Sequence, residues 1–277
     1  MGLETGCVKR HTQPMDHSTR SSIGPSPVSI VGWRRLLRGS MKAVLNTAYP
    51  PQCVACRAIT AEPATLCARC WREMPFIARP YCERLGTPFA VDIGGALLSP
   101  AAIADPPVFN RARSVARFDG AARELVHKLK YGDRQELALA MGSMMATAAA
   151  DSLGEATVIV PVPLHWTRLW QRRFNQAAAL AAVIGAKTGL PVEPQWLRRR
   201  KRTASQVGKT RAERQANLQG AFVVPDNMKM PLRGEHVLLV DDVMTTNATA
   251  NAASRVLMRG GAASVDVVTF ARVVMPS

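Results

Sequence analysis

The stretch HVLLVDDVMTTNATA, residues 236–250, indicates the class of fold and raises the first question about function. An apolar run leads into two adjacent acids, Asp241 and Asp242, which are followed by small and hydroxylated residues instead of more core. Short apolar runs of this kind are typical of strands buried on both faces of a parallel sheet. We therefore predict a buried strand that ends in two carboxylates and turns into a helix running to about Arg259.

Strand-like and helix-like segments alternate around this stretch. Strands are predicted within residues 113–120, 156–164, 190–199 and 261–273, and amphipathic or Ala-rich helices within 121–133, 135–153 and 175–189. This alternation predicts an α/β fold, a mostly parallel sheet flanked by helices. Ligands of such sheets bind beyond the carboxyl ends of the strands, which is where VDDVMTTNATA and VPVPLHW both fall.

The two acids and the turn that follows them could bind two parts of the same ligand. Ionised carboxylates accept hydrogen bonds from neighbouring sugar hydroxyls or hold Mg²⁺ through its water shell. Free backbone N–H groups at the start of the next helix, together with the hydroxyls of Thr245, Thr246 and Thr249, would form a phosphate socket. The stretch therefore predicts a site for a ribose 5-phosphate.

Other interpretations of the acidic pair are weaker. A Walker B strand would need a Walker A loop, and VGKT at residues 207–210 has Thr203 where that loop requires glycine. A receiver-type acidic cluster would place its acids on earlier strands and needs no Thr-rich turn. Simple helix-capping bonds by the acids remain the alternative.

Four cysteines near the N-terminus predict a metal site. PPQCVACRAITAEPATLCARCW, residues 50–71, contains two C-x-x-C pairs: Cys53 with Cys56, and Cys67 with Cys70. Two such pairs can place four thiolates around Zn²⁺, and a site filled by sulfur is structural because no coordination position stays open. Two disulfides or redox motifs are the alternative. Cys82 and Cys7 are expected to be buried or inert thiols.

Composition limits the class of protein and of partner. The chain has 277 residues and a formal net charge of +16, which favours anionic partners without choosing among them. No apolar run approaches the ~18 residues of a membrane span, and no secretory signal is evident, so a cytoplasmic location is expected. Residues 1–40 lack a structural period; Met41 is either the natural start or follows an ordinary basic tail.

These observations suggest four segments. We expect a disordered basic tail at residues 1–45, a zinc-ribbon-like domain at 46–90, a linker at 91–108, and the α/β domain at 109–277.

Several separated motifs resemble a known family. VLLVDDVMTTNAT resembles the phosphoribosyl pyrophosphate (PRPP) motif of type I phosphoribosyltransferases. The cysteine pairs, together with KYGD, VPVPLHWTRLWQRRFNQA, RTASQ and RAERQANLQGAF, resemble the ComF family over roughly residues 46–275. That resemblance implies a phosphoribosyltransferase-like domain preceded by a zinc ribbon, and a link to DNA uptake in natural transformation.

The resemblance also implies roles for particular residues. Asp241 and Asp242 would bind the ribose, and the 5-phosphate loop would consist of Thr245, Thr246, Asn247, Ala248 and Thr249. The pyrophosphate-side loop would be Val162, Pro163, Leu164 and His165, with Arg173, Asn175 and Gln176 near the pocket. If the protein is a transferase, Mg²⁺ would help to neutralise the leaving pyrophosphate, and Lys209 and Arg211 are candidates for the same task.

The sequence departs from the family pattern at two places. Asn247 stands where the family often has glycine, and asparagine is the next most tolerant residue if that position needs a positive φ. In YCERLG, Leu85 replaces the second cysteine of a further pair, so we expect a second zinc site to be lost.

Two classes of function stay open. The first is a Mg²⁺-dependent phosphoribosyltransferase of unknown acceptor. The second is a non-catalytic PRPP sensor that grips single-stranded DNA for an uptake machine and contacts other DNA-uptake proteins. Eight Lys or Arg residues against one acid between Arg198 and Arg214 fit a nucleic-acid path or a solvated surface. Four aromatic residues would either stack on bases or pack in the core: Trp166, Trp170, Phe174 and Trp196.

Overall fold

The computed structural model of the chain describes residues 49–92, 94–131, 135–164, 174–200 and 220–274. The main helices are α1 (Ala68–Arg72), α2 (Pro100–Ala104), α3 (Gly120–Tyr131), α4 (Gln135–Ala148), α5 (Ala150–Leu153), α6 (Gln176–Thr188), α7 (Lys229–Leu232) and α8 (Ala248–Gly260). The strands are β1 (Ala112–Arg117), β2 (Val158–Pro161), β3 (Arg198–Arg199), β4 (Phe222–Val223), β5 (His236–Met244) and β6 (Ser264–Arg272). A short 3₁₀ helix spans Asp226–Met228.

Four of the strands form a parallel sheet in the order β1-β6-β5-β2. The two long strands, β5 and β6, occupy its centre, and β5 pairs with both neighbours along its apolar half. Helices α3, α4 and α6 cover one face, and α8 covers the other. The predicted α/β class with a parallel sheet is therefore confirmed, and the continuous apolar run of β5 reflects burial on both faces.

Helix α6 illustrates how local sequence sets an element's ends. The Asn175 side chain accepts a hydrogen bond from the amide of Ala177 and caps the amino end. Gly189, at φ 77°, ends the helix in the left-handed conformation. The predicted helix over residues 175–189 is confirmed at both ends.

The strand predicted over residues 190–199 is only partly formed. Val192 makes an isolated parallel bridge to Ile159 beside β2, and regular pairing returns only at the two residues of β3. Pro194 has no amide hydrogen with which to continue the ladder, which explains the interruption.

In the described ranges, no helix combines the length and apolar character that crossing a lipid bilayer requires. The described residues from Pro50 onward form one compact unit, in which Val54 of the cysteine-rich segment shares a hydrophobic cluster with residues of the sheet.

Candidate functional site

The two strand-end acids point to different sides of the sheet. Residues alternate along β5, so Asp241 shares a face with Leu239 and α8, whereas Asp242 shares a face with Val240 and α3. Asp241 is paired in register with Thr269 on β6. Its side chain lines a cleft at the carboxyl edge of the sheet, as expected for a ligand site in a parallel α/β fold.

Asp241 has an unusual titration. Burial, reinforced by the neighbouring Asp242 carboxylate, raises the pKa of Asp241 to about 7. A hydrogen bond of 2.8 Å from the Asp242 amide to Asp241 Oδ1 and the positive charges of Lys130 and Arg199 act in the opposite direction. Perturbed carboxylates in clefts are frequent in functional sites, because ligand binding or chemistry can use the stored electrostatic energy.

Asp242 is paired with a lysine to which the sequence alone assigns no role. Lys130 Nζ lies 2.9 Å from Asp242 Oδ2, and both side chains are largely buried, with 20% and 14% of their surfaces exposed. Lys130 is in the last turn of α3, so the helix carries the ammonium group to the strand end. The signal in the sequence is the lysine of the KYGD motif.

The turn after β5 contains polar groups that have no hydrogen-bond partner among the residues that the structure describes. Asn247 adopts φ 56°, and α8 begins at the next residue without a side-chain cap. In the part of the chain that the structure describes, the backbone amides of residues 246–250 donate to no backbone carbonyl. Thr246 Oγ1 and Asn247 Oδ1 are buried and, within the same part of the chain, lack a hydrogen-bond partner. Such groups are costly to bury unless a ligand or water completes them.

Asn247 and the first residues of α8 line one cleft with an empty volume of about 310 Å³, open solvent included, whereas Thr246 is not part of this lining. Strand residues and turn residues both contribute to its lining: Val162, Leu239, Asp241, Val243, Met244, Thr245, Asn247, Ala248, Thr249, Ala250, Val267 and Thr269. The cleft joins a carboxylate with the amino end of a 13-residue helix. It can therefore accept hydroxyl hydrogens at one end and an anion at the other.

The residues expected on the pyrophosphate side lie only partly within the described chain. Val162, Pro163 and Leu164 follow β2, and Val162 lines the cleft. Asn175 Nδ2 donates to the carbonyl of Val162 over 3.2 Å, which joins the start of α6 to this loop, and Gln176 is buried beside it. The expectations for His165, Arg173, Lys209 and Arg211 fall outside the described residues.

The four predicted zinc ligands lie together. The ligand atoms of Cys53, Cys56, Cys67 and Cys70 are all within 4.8 Å of one another. The Ala58 amide, helped by the Cys70 side chain, lowers the pKa of Cys56 to about 6, which favours the thiolate that binds zinc. The donor set fits a tetrahedral structural Zn²⁺ with no open position.

Aromatic residues near the site differ in their surroundings. Trp196 belongs to the buried core on the α8 side of the sheet, and Phe174 packs partly buried against the opposite core. Trp196 and Phe174 therefore pack in the core. The burial of Trp196 excludes stacking of its ring on a base. Trp166 and Trp170 lie outside the described residues.

Known proteins resemble the chain in two ways. Residues 44–101 match the family model of a double zinc ribbon domain. In structure, about half of the chain (52%) resembles the PRPP amidotransferase of B. subtilis complexed with ADP and GMP, at 20% identity and a TM-score of 0.36; this match spans 30% of that enzyme's chain.

Curated relatives cover most of the chain. It is 31% identical to the DNA utilization protein YhgH of Salmonella typhimurium, over 73% of this chain and 87% of the relative. It is 26% identical to competence protein F of Haemophilus influenzae, over 80% and 96% of the two chains. Competence protein ComFC of Bacillus subtilis is 28% identical over 61% of this chain and 68% of its own. With this identity and coverage, four clustered cysteines and a parallel α/β domain behind them, the chain belongs to the ComF family.

Proposed function

We propose that the chain binds PRPP, with Asp241 and Asp242 on the ribose and residues Thr245–Thr249 on the 5-phosphate. One observation carries the proposal: Asn247, with its unsatisfied side-chain oxygen, and the free amides of the α8 amino end share a cleft with the strand-end carboxylate of Asp241. A phosphorylated pentose has the complementary groups, with neighbouring hydroxyls at one end and a phosphate at the other.

The donor set also fits a magnesium ion that arrives with the ligand. Mg²⁺ prefers one or two carboxylates together with phosphate oxygens and water, and Asp241 and Asp242 supply carboxylates at the strand end. The bound ion would neutralise the pyrophosphate oxygens. Lys209 and Arg211, which follow β3 in the sequence, would add positive charge on the same side, and Arg173, His165 and the 162–164 loop would line the pyrophosphate.

Binding can be tested on the turn itself. Calorimetric titration of PRPP with Mg²⁺ should show one site, and Thr249→Val, at a residue that lines the cleft, should weaken binding by about tenfold to a hundredfold, since a hydrogen bond to a charged group contributes about 1.5–3 kcal/mol. The matched control is Thr188→Val, because the Thr188 hydroxyl is satisfied by the carbonyl of Ile184 at the far end of α6. Equal affinity of the Thr249 variant and wild type would exclude the start of α8 as the phosphate site.

We propose phosphoribosyl transfer as the reaction. A nucleophile would displace pyrophosphate from C1 of the ribose, so that one carbon–oxygen bond breaks as the new bond to C1 forms, and the acidic pair would stabilise positive charge on the ring. Pyrophosphate release should be measured across a panel of bases and amines. Release that disappears in Asp242→Asn supports the enzyme, whereas tight PRPP binding without release supports a sensor.

A DNA-binding role is a second candidate, favoured by the net charge of +16 and by relatives named for DNA utilization and competence. Arg198 and Arg200 are exposed at the β3–β4 ribbon, and Arg199 contributes to the electrostatics of Asp241. The exposed Arg198 and Arg200 are thus the direct neighbours of Arg199, whose charge acts on Asp241 in the cleft.

The DNA role has a direct test. Affinity for single-stranded DNA should fall with salt, and Arg198→Glu with Arg200→Glu should lower both the affinity and the salt slope. The slope should fall by about 0.7 for each phosphate that the variant no longer neutralises. Unchanged DNA affinity in this double variant would remove the basic run from the proposal.

A further inference from the structure

Residues 80–104 repeat the backbone pattern of the zinc-binding residues 51–72. In the first segment the amide of Cys53 donates to Ala58, that of Arg57 to Cys53, and that of Thr60 to Pro51. In the second, 29 positions later, Cys82 donates to Thr87, Gly86 to Cys82, and Phe89 to Pro80. Isolated bridges match as well, Gln52 with Ile59 and Tyr81 with Pro88.

The conformation of the loop tip is the same in both segments. Arg57 has φ 66° and Gly86 has φ 65°. This left-handed residue directly follows the second position of each knuckle, Cys56 in the first and Leu85 in the second. Two copies of one supersecondary unit thus follow each other in the chain.

A sulfur contact aligns the remaining ligand positions. The amide of Cys67 donates to Cys53 Sγ over 3.3 Å, and the amide of Ser99 donates to Cys82 Sγ over 3.2 Å. Cys67 and Ser99 each stand at the amino end of a five-residue helix, α1 and α2. Ser99 therefore corresponds to Cys67, and Ala102, three residues on, corresponds to Cys70.

The second unit thus has four recognisable ligand positions, but only one thiol. Its positions are filled by Cys82, Leu85, Ser99 and Ala102, which are 0%, 5%, 8% and 2% exposed. Leu and Ala have no ligand atom, so this set does not fit a metal ion. Cys82, Leu85 and Ala102 instead belong to the hydrophobic core that includes β1 and α8.

In the second unit, hydrogen bonds from residues of the sheet hold the knuckle in place. The amide of Ala112 in β1 donates to the carbonyl of Arg84 over 2.9 Å. Arg113, almost fully buried, donates to the carbonyl of Glu83 and to its carboxylate. The buried guanidinium of Arg272 donates to the carbonyl of Leu85. A knuckle fixed in this way has its fold supplied by burial and hydrogen bonding and does not depend on metal binding.

We propose that the double ribbon of this chain holds one zinc ion, at Cys53, Cys56, Cys67 and Cys70, and that its second ribbon folds without metal around Leu85, Ser99 and Ala102. The second ribbon keeps the backbone geometry of a metal site. Thiols at those three positions would therefore complete a second four-sulfur site with Cys82.

Metal content tests both halves of the proposal. Zinc measured by mass spectrometry on the full chain should be one ion per wild-type protein and two per Leu85→Cys/Ser99→Cys/Ala102→Cys variant. Cobalt substitution should double the thiolate-to-metal absorption of the variant. The matched control, Leu85→Ser/Ala102→Ser, adds hydroxyls of similar polarity and should stay at one ion. Two ions in the wild type, or one in a folded triple-cysteine variant, would overturn the proposal.

A measurement on the unmodified protein covers the case in which the triple variant fails to fold. Hydrogen exchange with and without a zinc chelator should show reduced protection at the amides of Cys53, Arg57 and Thr60. The corresponding amides of Cys82, Gly86 and Phe89 should keep their protection. A parallel decrease at both sets would mean that the second ribbon depends on metal, contrary to the proposal.

Discussion

Asp241 and Asp242 are neighbours in sequence but occupy different electrostatic environments. Asp242 has Lys130 at 2.9 Å, whereas Asp241 lies in the cleft without an ion pair among the described residues and has its pKa raised to about 7 by burial and by Asp242. Different electrostatic environments allow two neighbouring acids to take different roles with one ligand.

The raised pKa of Asp241 predicts a pH dependence. The folded protein holds a proton that the unfolded chain releases near pH 3.8, so the contribution of this group to stability is complete below about pH 4 and is lost as pH rises through about 7. Denaturant titrations at pH 5 and pH 8 should show that wild type loses more stability with rising pH than Asp241→Asn does. PRPP–Mg²⁺ affinity should also rise between pH 6 and pH 8 in wild type, because ligand hydroxyls and the cation favour the ionised acid. Parallel pH profiles of wild type and variant would contradict the assignment.

Lys130 is predicted to hold the Asp242 carboxylate in the position that ligand binding requires. Replacement by Met leaves Asp242 without its cation, so we expect unfolding to cost about 1–2 kcal/mol less, a value reduced for the partial exposure of the pair. PRPP affinity should fall as well, because the carboxylate is no longer held in place. Lys130→Arg should restore both quantities, because it returns the charge. Chemical denaturation and calorimetry on the two variants check this; an Arg variant no better than the Met variant would show that the charge is not what matters.

At the scale of elements, the second ribbon approaches β1 so closely that one of its residues must be glycine. Gly86 has φ 65°, and a Cβ at this position would lie 2.4 Å from the carbonyl oxygen of Ala112. Arg57 holds the same conformation in the first ribbon with a full side chain. The two knuckles therefore share a backbone but differ in how tightly they pack.

Gly86→Ala is predicted to destabilise the protein by about 3 kcal/mol or more, since a backbone clash adds to a positive-φ cost of about 1–2 kcal/mol. Gly94→Ala is the matched control: its φ is 76°, and a Cβ there would meet nothing within 4 Å. Gly94→Ala should therefore lose only the stability that corresponds to the positive-φ cost. Thermal and denaturant unfolding measure the difference, and equal losses in the two variants would contradict the predicted clash.

At the scale of the molecule, the zinc site and the cleft belong to one compact unit but lie at different parts of the sheet. Ile77 donates to the carbonyl of Val115, and Arg117 to that of Pro75, so the residues following α1 bond to edge strand β1. The cleft is built on the central strands β5 and β6. We therefore expect loss of the zinc site to lower the stability of the protein, through β1, more than it lowers the affinity for the ligand.

Cys70→Ala should lower zinc content and the midpoint of thermal unfolding, by about 2–4 °C for each kcal/mol lost in a domain of this size. PRPP affinity, measured below the transition, should change less than about threefold. The control is Cys82→Ala, which should leave zinc content unchanged. A large decrease in PRPP affinity in folded Cys70→Ala would show that the ribbon takes part in ligand binding.

The sequence alone determined the parts of this protein that depend on near neighbours in the chain. The apolar run of β5, the C-x-x-C pairs and the ends of α6 are local stereochemistry, so spacing and residue type were enough to predict them. Asn247 at positive φ and the Thr-rich turn belong here too, and their role in binding phosphate stays a prediction.

Tertiary structure decided what depends on interactions between distant segments. Packing of α3 against the sheet brings Lys130 to Asp242, and burial in the folded cleft sets the pKa of Asp241; neither leaves a periodic signal in the sequence. The correspondence of Ser99 and Ala102 to Cys67 and Cys70 could not be recognised from the sequence, because neither residue has a thiol and only shared backbone geometry aligns them. Local conformational propensity depends on each residue and its near neighbours in the sequence. The interaction energy between distant residues arises only once the chain has folded and brought them together.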